Sequence, residues 1–141
     1  MKKTKKFLAI ILAILMVISI IPITASAADA TSGTCGENLT WSFDESTGTL
    51  TISGTGAMDN YSYYSPWEDI DNKIKKLVVE EGVTTIGNKA FYRYYWLVDV
   101  ILPDSITTIG QLAFAYCDEI TNITFGSGLE TIEYAAFCDC T

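Results

Sequence analysis

A repeat of 23 residues constrains the fold of this chain more than any other feature of its sequence. Apolar residues recur at matched positions in three successive segments, 74–96, 97–119 and 120–141. Each segment opens with a pattern of the type Leu97-Val-Asp-Val100-Ile-Leu102 and later carries a pair of the type Ala113-Phe114. A period of about 20 to 50 residues is typical of a solenoid, in which each unit buries its apolar side only against its neighbours. The sequence therefore predicts a stack of 23-residue coils.

The pattern within one unit predicts a short strand, a turn, a second extended piece and a helical turn. In the strand, residues 97, 100 and 102 point to the core and the residues between them point outward. The turn falls at Pro103-Asp104-Ser105, because proline cannot continue a ladder and Asp and Ser bond their own backbone. We expect residues 106–110 to be extended and residues 111–116 to form the helical turn. The expected aromatic column along the stack consists of Phe91, Phe114 and Phe137.

The segment before the first repeat lacks the 23-residue pattern. Alternating apolar residues in 39–43 and 49–53 flank the polar loop Asp44-Glu-Ser-Thr-Gly48, which is typical of a β-hairpin. Repeat arrays need a terminal cap to cover the apolar side of their first unit. We therefore expect residues 28–73 to form an N-terminal β-hairpin cap and linker in front of a mainly-β solenoid with short helical turns.

The first 27 residues have the three parts of a secretory signal peptide. A basic start is followed by the 15 apolar residues 7–21 and by the small residues Ala25-Ser26-Ala27. An uncleaved membrane anchor would need about 20 apolar residues. The sequence favours cleavage after Ala27, which predicts a secreted or cell-surface protein that meets the membrane only through the signal peptide before cleavage.

Charge and composition exclude several classes of function. After residue 27 the chain has 5 basic and 17 acidic residues, a net charge of -12, so nucleic acid is not expected as a partner. The chain has no histidine, which removes the usual general base and the commonest zinc ligand. A glycosidase needs only two suitably spaced carboxylates, but nothing in the sequence selects a pair. We expect neither an enzyme nor a cofactor.

The four cysteines suggest packing more than chemistry. Cys117 and Cys140 are 23 residues apart, so they occupy equivalent positions on neighbouring coils, about 4.8 Å apart. A disulfide is one interpretation, and a pair of reduced, buried thiols is the favoured one, because Tyr94 fills the matching position of the first unit. Cys35 lies too far along the stack to reach Cys140 within the ~7 Å limit of a disulfide. The spacing of Cys138 and Cys140 would suit a metal, but no further ligand pair accompanies them, and we expect no metal site.

The first candidate binding surface is the outward side of the first strands, which we call the strand face. Parallel stacking would align these side chains into one contiguous surface, and repeat proteins recognise partners through such surfaces. The alternative is that these residues merely suit a solvated strand. The nine residues are Lys75, Lys76, Val78, Val98, Asp99, Ile101, Thr121, Asn122 and Thr124.

The second candidate surface is aromatic. Segments 61–67 and 92–96 concentrate eight aromatic residues on the cap loop and the first repeat. Aromatic rings stack on sugar faces and dominate protein interfaces. We expect Trp67 and Trp96 to seal the junction between cap and repeats. The alternative contact residues are then Tyr61, Tyr63, Tyr92 and Tyr95.

The repeat that runs from Leu97 to Cys117 closely resembles the BspA-type, or Treponema pallidum-type, leucine-rich repeat. The segments Leu39 to Met58 and Pro66-Trp67 resemble the N-terminal region often found before such repeats in exported proteins of Gram-positive gut bacteria. The resemblance implies a leucine-rich-repeat-like solenoid and a cell-surface or secreted interaction protein, since some relatives are adhesins and no catalytic motif carries over. Arrays of this family usually contain many repeats, so we expect the third repeat to be truncated and the chain to be a fragment.

Three functions are compatible with this resemblance. The first is adhesion to, or recognition of, an extracellular protein or glycan through the strand face. The second is a carbohydrate-binding accessory module that uses the aromatic residues. The third is a non-catalytic scaffold of the cell wall.

Overall fold

The computed structural model describes residues 31–141, so the expected signal peptide lies outside the described residues. The fold is a mainly-β solenoid with about four turns of roughly 23 residues, as the repeat predicts. Residues 31–141 contain one 3₁₀ helix, Glu68–Lys73, and ten strands. The strands are β1 (Ser32–Gly36), β2 (Leu39–Asp44), β3 (Thr49–Gly54), β4 (Gly56–Ala57), β5 (Lys76–Val79), β6 (Val83–Ile86), β7 (Asp99–Ile101), β8 (Thr108–Ile109), β9 (Asn122–Thr124) and β10 (Thr131–Ile132).

Each repeat contributes one strand to each of two sheets. The first sheet has the order β1-β2-β3-β5-β7-β9 and the second has the order β10-β8-β6-β4. Neighbouring repeats pair in parallel with a shift of one period, so Leu77 lies beside Val100 and Val100 beside Ile123. These inward side chains line the core between the sheets, while the alternate residues of each strand face solvent.

The third side of each coil differs from the expected helical turn. Residues 111–116 form a series of turns in which alternate N–H groups have different acceptors. Ala113 and Ala115 donate to carbonyls three residues earlier, whereas Leu112, Phe114 and Tyr116 donate to the next coil. The acceptors in that coil are the carbonyl oxygens of Tyr134, Ala136 and Cys138, at 3.1, 2.8 and 2.8 Å. A helical turn would direct these donors along its own axis, so bonding between coils favours the turns over the local helical preference.

The turns require left-handed backbone at two positions of every repeat. The first position is occupied by Lys89, Leu112 and Ala135, with φ of 55°, 56° and 55°, and the second by Arg93, Tyr116 and Asp139, with φ of 68°, 61° and 55°. This conformation costs an L-residue roughly 1 to 2 kcal/mol, whereas glycine adopts it without that cost. The repeat therefore tolerates a backbone strain that recurs with its period.

We expect Ala135→Gly to raise the free energy of unfolding by about 1 kcal/mol, because glycine removes the strain at φ 55°. The neighbouring Ala136 provides a matched control. Ala136 is buried and its φ is not left-handed, so Ala136→Gly should lower stability by a similar amount. Urea unfolding of the two variants measures both effects. A loss of stability in Ala135→Gly equal to that in Ala136→Gly would contradict the argument.

The expected β-hairpin is present and is part of a larger arrangement. Strands β2 and β3 pair antiparallel, with Asp44 opposite Thr49, and β1 adds a third antiparallel strand that the sequence pattern does not indicate. Strand β3 also pairs in parallel with β5, and β4 pairs in parallel with β6. Residues 49–73 therefore form a coil of the solenoid themselves, although they lack the 23-residue pattern.

An aromatic column runs through the core as expected. The rings of Phe91, Phe114 and Phe137 stack with centroid distances of 5.3 and 5.2 Å and interplanar angles of 8° and 7°. Trp67 extends the column, 5.2 Å from Phe91, and its Nε1 donates to the Ala90 carbonyl at 3.2 Å. Trp67 is fully buried, which confirms its role as a seal between the cap and the repeats.

Trp96 does not have the sealing role that we expected. Its side chain is 51% exposed, and the Nζ atom of Lys75 lies 4.6 Å from its ring centroid. Trp96 lies in the last turn of its repeat, which the Leu97 N–H closes by donating to the Tyr94 carbonyl at 3.1 Å, and Leu97 takes the buried position. The expectation that both tryptophans seal the junction is therefore wrong for Trp96.

The cysteines of residues 31–141 are all free thiols. The Sγ atom of Cys117 donates to the Phe91 carbonyl at 3.1 Å, and that of Cys140 donates to the Phe114 carbonyl at the same distance. Burial raises the pKa of Cys117 to about 12. The two thiols therefore make the same contact in successive coils and belong to the packing of the core. This agrees with the interpretation of Cys117 and Cys140 as reduced thiols.

Candidate functional site

The structure aligns the nine residues of the strand face in three columns of three. Lys76, Asp99 and Asn122 are paired across β5, β7 and β9. The same pairing aligns Val78, Ile101 and Thr124. The remaining three residues, Lys75, Val98 and Thr121, precede their strands and are joined by backbone bonds of 2.8 and 3.0 Å.

The strand face continues onto the cap, which the sequence pattern does not reveal. Thr49 pairs with Lys76, and Thr51 pairs with Val78, because β3 is the parallel neighbour of β5. Ser42 lies opposite Thr51 on β2 and is exposed. The outward hydroxyls of the hairpin therefore form one surface with the repeats, five strands wide from β2 to β9.

Two columns of the strand face differ in chemistry: the column of Lys76, Asp99 and Asn122 is polar, and the column of Val78, Ile101 and Thr124 is the more apolar one. In the polar column, the Nδ2 atom of Asn122 donates to Oδ1 of Asp99 at 2.8 Å, so the two side chains are held in a fixed arrangement. In the apolar column, Ile101 is 37% exposed and Val78 is half-buried. An exposed apolar centre beside fixed polar groups is the usual arrangement of a protein interface.

The aromatic residues separate into packing residues and exposed residues. Tyr61 is half-buried, its ring lies 6.0 Å from Trp67, and its hydroxyl donates to the Cys35 carbonyl at 3.4 Å. Burial raises the pKa of the Tyr61 phenol. Tyr63 and Tyr95 are 88% and 43% exposed, and Tyr92 is half-buried. Of the four tyrosines considered from the sequence, Tyr61 therefore lies mainly in the junction.

A cavity of about 530 Å³ lies beside these tyrosines, between the cap loop and the turns of the first repeat. The three tyrosines Tyr63, Tyr92 and Tyr95 line it, together with charged residues that the sequence pattern did not associate with them. Those charged residues are Glu68, Asp71, Lys89 and Arg93. They come from the 3₁₀ helix and from the two left-handed positions of the first repeat, which sequence periodicity alone does not bring together.

Burial raises the pKa of Glu68 above its usual range, and the nearby carboxylates of Asp71 and Asp69 raise it further. The 3₁₀ helix contributes two carboxylates, Glu68 and Asp71, to the lining of the cavity. The lining also includes Lys89, whose Nζ donates to the Ser62 carbonyl at 3.3 Å. Arg93 lines the cavity as well, and its guanidinium lies 5.1 Å from the ring centroid of Tyr92.

Residues 31–141 contain neither a cluster of metal ligands nor a membrane-spanning helix. No group of three or more Cys, Asp and Glu side chains in this range is arranged to hold a metal ion. No helix in the same range is long and apolar enough to cross a membrane.

The family model described as the BspA type leucine-rich repeat region (6 copies) matches residues 67–141. The match covers more than half of the chain and begins at Trp67, the first ring of the aromatic column. The protein belongs to the family of BspA-type leucine-rich repeat proteins. Leucine-rich repeats generally serve as protein-interaction modules and are typically non-catalytic, and BspA-type proteins are typically secreted or exposed at the cell surface.

Two solved structures are similar to the chain. A leucine-rich repeat protein from Eubacterium ventriosum is 29% identical with a TM-score of 0.66, and the alignment covers 73% of this chain and 28% of that one. A leucine-rich repeat protein from T. pallidum is 26% identical with a TM-score of 0.47, covering 71% of this chain and 42% of that one. The chain thus spans less than half the length of either protein. No curated protein sequence matches it.

Proposed function

We propose that the protein is an exported interaction module that binds an extracellular protein through the strand face. The observation that carries the proposal is the continuous alignment of outward side chains from β2 to β9.

The N-terminal segment supports export. We expect the protein recovered from the culture medium to begin at Ala28, and measurement of its mass would test this.

The strand face is suited to binding because its backbone is already ordered. Strands β5 and β7 are bonded to a neighbouring strand on each side, and β9 is bonded to β7 and packs on the core through Ile123, so binding would order mainly side chains. The Asp99–Asn122 bond further restricts the polar column. Affinity can then arise from a modest number of contacts, with Val78 and Ile101 as the apolar centre and hydroxyls around them.

Charge favours a partner that is not strongly acidic. The chain carries a net charge of -12 after residue 27, and the two lysines of the strand face are followed by Asp99 in the next repeat. A polyanion would be repelled by the molecule as a whole. A protein surface of mixed charge is the partner that this chemistry fits.

We expect the double variant Val98→Asp and Ile101→Asp to lower adhesion at least about tenfold, because two carboxylates in the middle repeat of the strand face would have to be desolvated on binding. Adhesion would be measured on immobilised host-matrix proteins and on partner bacterial cells. The circular dichroism spectrum should be unchanged, which separates lost binding from lost folding.

Tyr134→Asp provides the control for this experiment. Tyr134 is 78% exposed and lies in the last repeat away from the strand face, so its replacement adds a surface carboxylate without changing the proposed site. Adhesion that survives the double variant but is abolished by substitutions at Tyr63 and Tyr95 would show that the strand face is the wrong surface and the aromatic residues are the binding site.

A further inference from the structure

The cavity beside the tyrosines is one part of a longer groove. A second cavity of about 400 Å³ adjoins it, and the two share Ser62, Tyr63, Lys89 and Leu112 as lining residues. Tyr63 therefore lines both depressions. The groove follows the turn side of the coils, whereas the strand face belongs to the six-stranded sheet. The two surfaces are formed by different residues.

Exposed tyrosine rings dominate the apolar part of the groove. Tyr63 and Tyr64 are 88% and 75% exposed, and Tyr95 is 43% exposed, so their rings are in contact with water. Tyr92 is held in place by two contacts: its ring lies 5.6 Å from that of Tyr116 at 89°, and the Arg93 guanidinium lies 5.1 Å from its centroid. A flat ring with a hydroxyl at its edge suits a ligand that has both an apolar face and polar groups.

The polar groups of the groove include both donors and acceptors. In the first cavity the carboxylates of Glu68 and Asp71 accept, while Lys89 and Arg93 donate. In the second cavity the side-chain amides of Asn88 and Gln111 supply both functions. The Asn88 Oδ1 atom already accepts from the Gln111 N–H at 2.8 Å, which fixes the position of its amide group.

We propose that this groove binds a neutral oligosaccharide. A sugar ring presents C–H groups on one face and hydroxyls at its edge, which matches tyrosine rings surrounded by mixed donors and acceptors. Each sugar hydroxyl donates one hydrogen bond and accepts others, so carboxylates and cations in one cavity are both used. The two adjoining cavities, which share the Tyr63 ring, provide neighbouring sites for two adjacent sugar residues.

Charge selects a neutral ligand over an acidic one. The two cations of the first cavity are balanced by the carboxylates of Glu68 and Asp71, and Asp69 adds a third carboxylate on the same 3₁₀ helix. The chain carries a net charge of -12 after residue 27, which would repel a polyuronate. The groove is also concave and of small-ligand size, within the range of about 300 to 1,000 Å³ that is typical of such sites.

Isothermal titration of the purified protein with defined oligosaccharides tests the proposal. The probes are neutral hexasaccharides of β-1,4-glucose, β-1,3-glucose, β-1,4-xylose and β-1,4-mannose, with polygalacturonate as the acidic probe. At least one neutral probe should bind with a Kd below about 1 mM. Tyr63→Ala should then weaken binding about tenfold, because it removes the ring shared by both cavities.

Tyr134→Ala is the matched control, since it removes a tyrosine that is 78% exposed but does not line the groove. Its affinity for the sugar should equal that of the unmodified protein. The proposal is overturned if no neutral probe binds with a Kd below about 1 mM in titrations that reach about 10 mM ligand. Binding of polygalacturonate alone, or an equal loss in both tyrosine variants, also overturns it.

The strand-face variant separates this proposal from the protein-binding function. The double variant Val98→Asp and Ile101→Asp should bind the neutral sugar as tightly as the unmodified protein, because neither residue lines the groove. Loss of sugar binding in a folded double variant would assign the sugar to the strand face and overturn the groove. Loss of protein adhesion alone leaves the groove intact.

Discussion

Phe114→Ala should lower the free energy of unfolding by about 3 to 5 kcal/mol, which is a large fraction of the total stability of a domain of this size. Phe114 is fully buried and its ring is stacked between Phe91 and Phe137 at 5.3 and 5.2 Å. Its N–H is bonded to Ala136 in the next coil at 2.8 Å, so the backbone cannot close the cavity. Urea unfolding followed by circular dichroism measures the loss.

Phe137→Ala makes the same chemical change at the same column and serves as the comparison. Phe137 is only half-buried and is stacked on one side, against Phe114. The Phe137 side chain buries less apolar surface than that of Phe114. We therefore expect Phe137→Ala to lower the free energy of unfolding by about half as much as Phe114→Ala. Equal losses in the two variants would show that stacking along the column does not determine the stability.

The repeat predicts the solenoid well because the 23-residue spacing of the apolar residues sets the register of the parallel strands. Residues 23 apart that share apolar character must lie on the same side of successive coils, and Leu77, Val100 and Ile123 do so. The alignment of the strand face follows from the same spacing, since the residues between inward positions have no other direction available.

The first coil could not be predicted from spacing. Leu50 precedes its partner Leu77 by 27 residues, whereas Trp67 precedes Phe91 by 24, so no single period relates this coil to the next. The extension of the strand face onto Thr49 and Thr51 depends on the parallel pairing of β3 with β5 and was missed for that reason. Tertiary contacts, not local pattern, determine this part of the fold.

The turns were mispredicted because local preference and tertiary bonding disagree. Segment 111–116 contains leucine and two alanines, which favour helix in isolation. Three bonds to the next coil outweigh that preference and place Leu112 and Tyr116 in left-handed backbone. The same backbone presents Lys89 and Arg93 to the groove in the first repeat. The aromatic part of the groove was visible in the sequence, but its charged part was not.

The last coil should make a protein consisting of residues 28–141 associate or unfold at low temperature. Its two strands, β9 and β10, are terminal in their sheets, and Phe125 and Ile132 are 45% and 53% exposed. The N–H groups of Leu112, Phe114 and Tyr116 each have an acceptor in the next coil. Their equivalents in the last coil, Ala135, Phe137 and Asp139, have no backbone acceptor within residues 31–141.

Adding one or two copies of the 97–119 repeat in register should supply acceptors for the unpaired amides of residues 135, 137 and 139 and cover the apolar side of their coil, which moves the open edge to the added repeat. We expect the extended protein to melt at a temperature higher by at least about 10 °C, equivalent to a gain of a few kcal/mol, because each added repeat contributes one more interface between coils. An extension of scrambled sequence and identical composition controls for length and should give no gain. A monomeric 28–141 protein with a sharp transition at high temperature would contradict the prediction, since it would show that the last coil is stable with its edge uncovered.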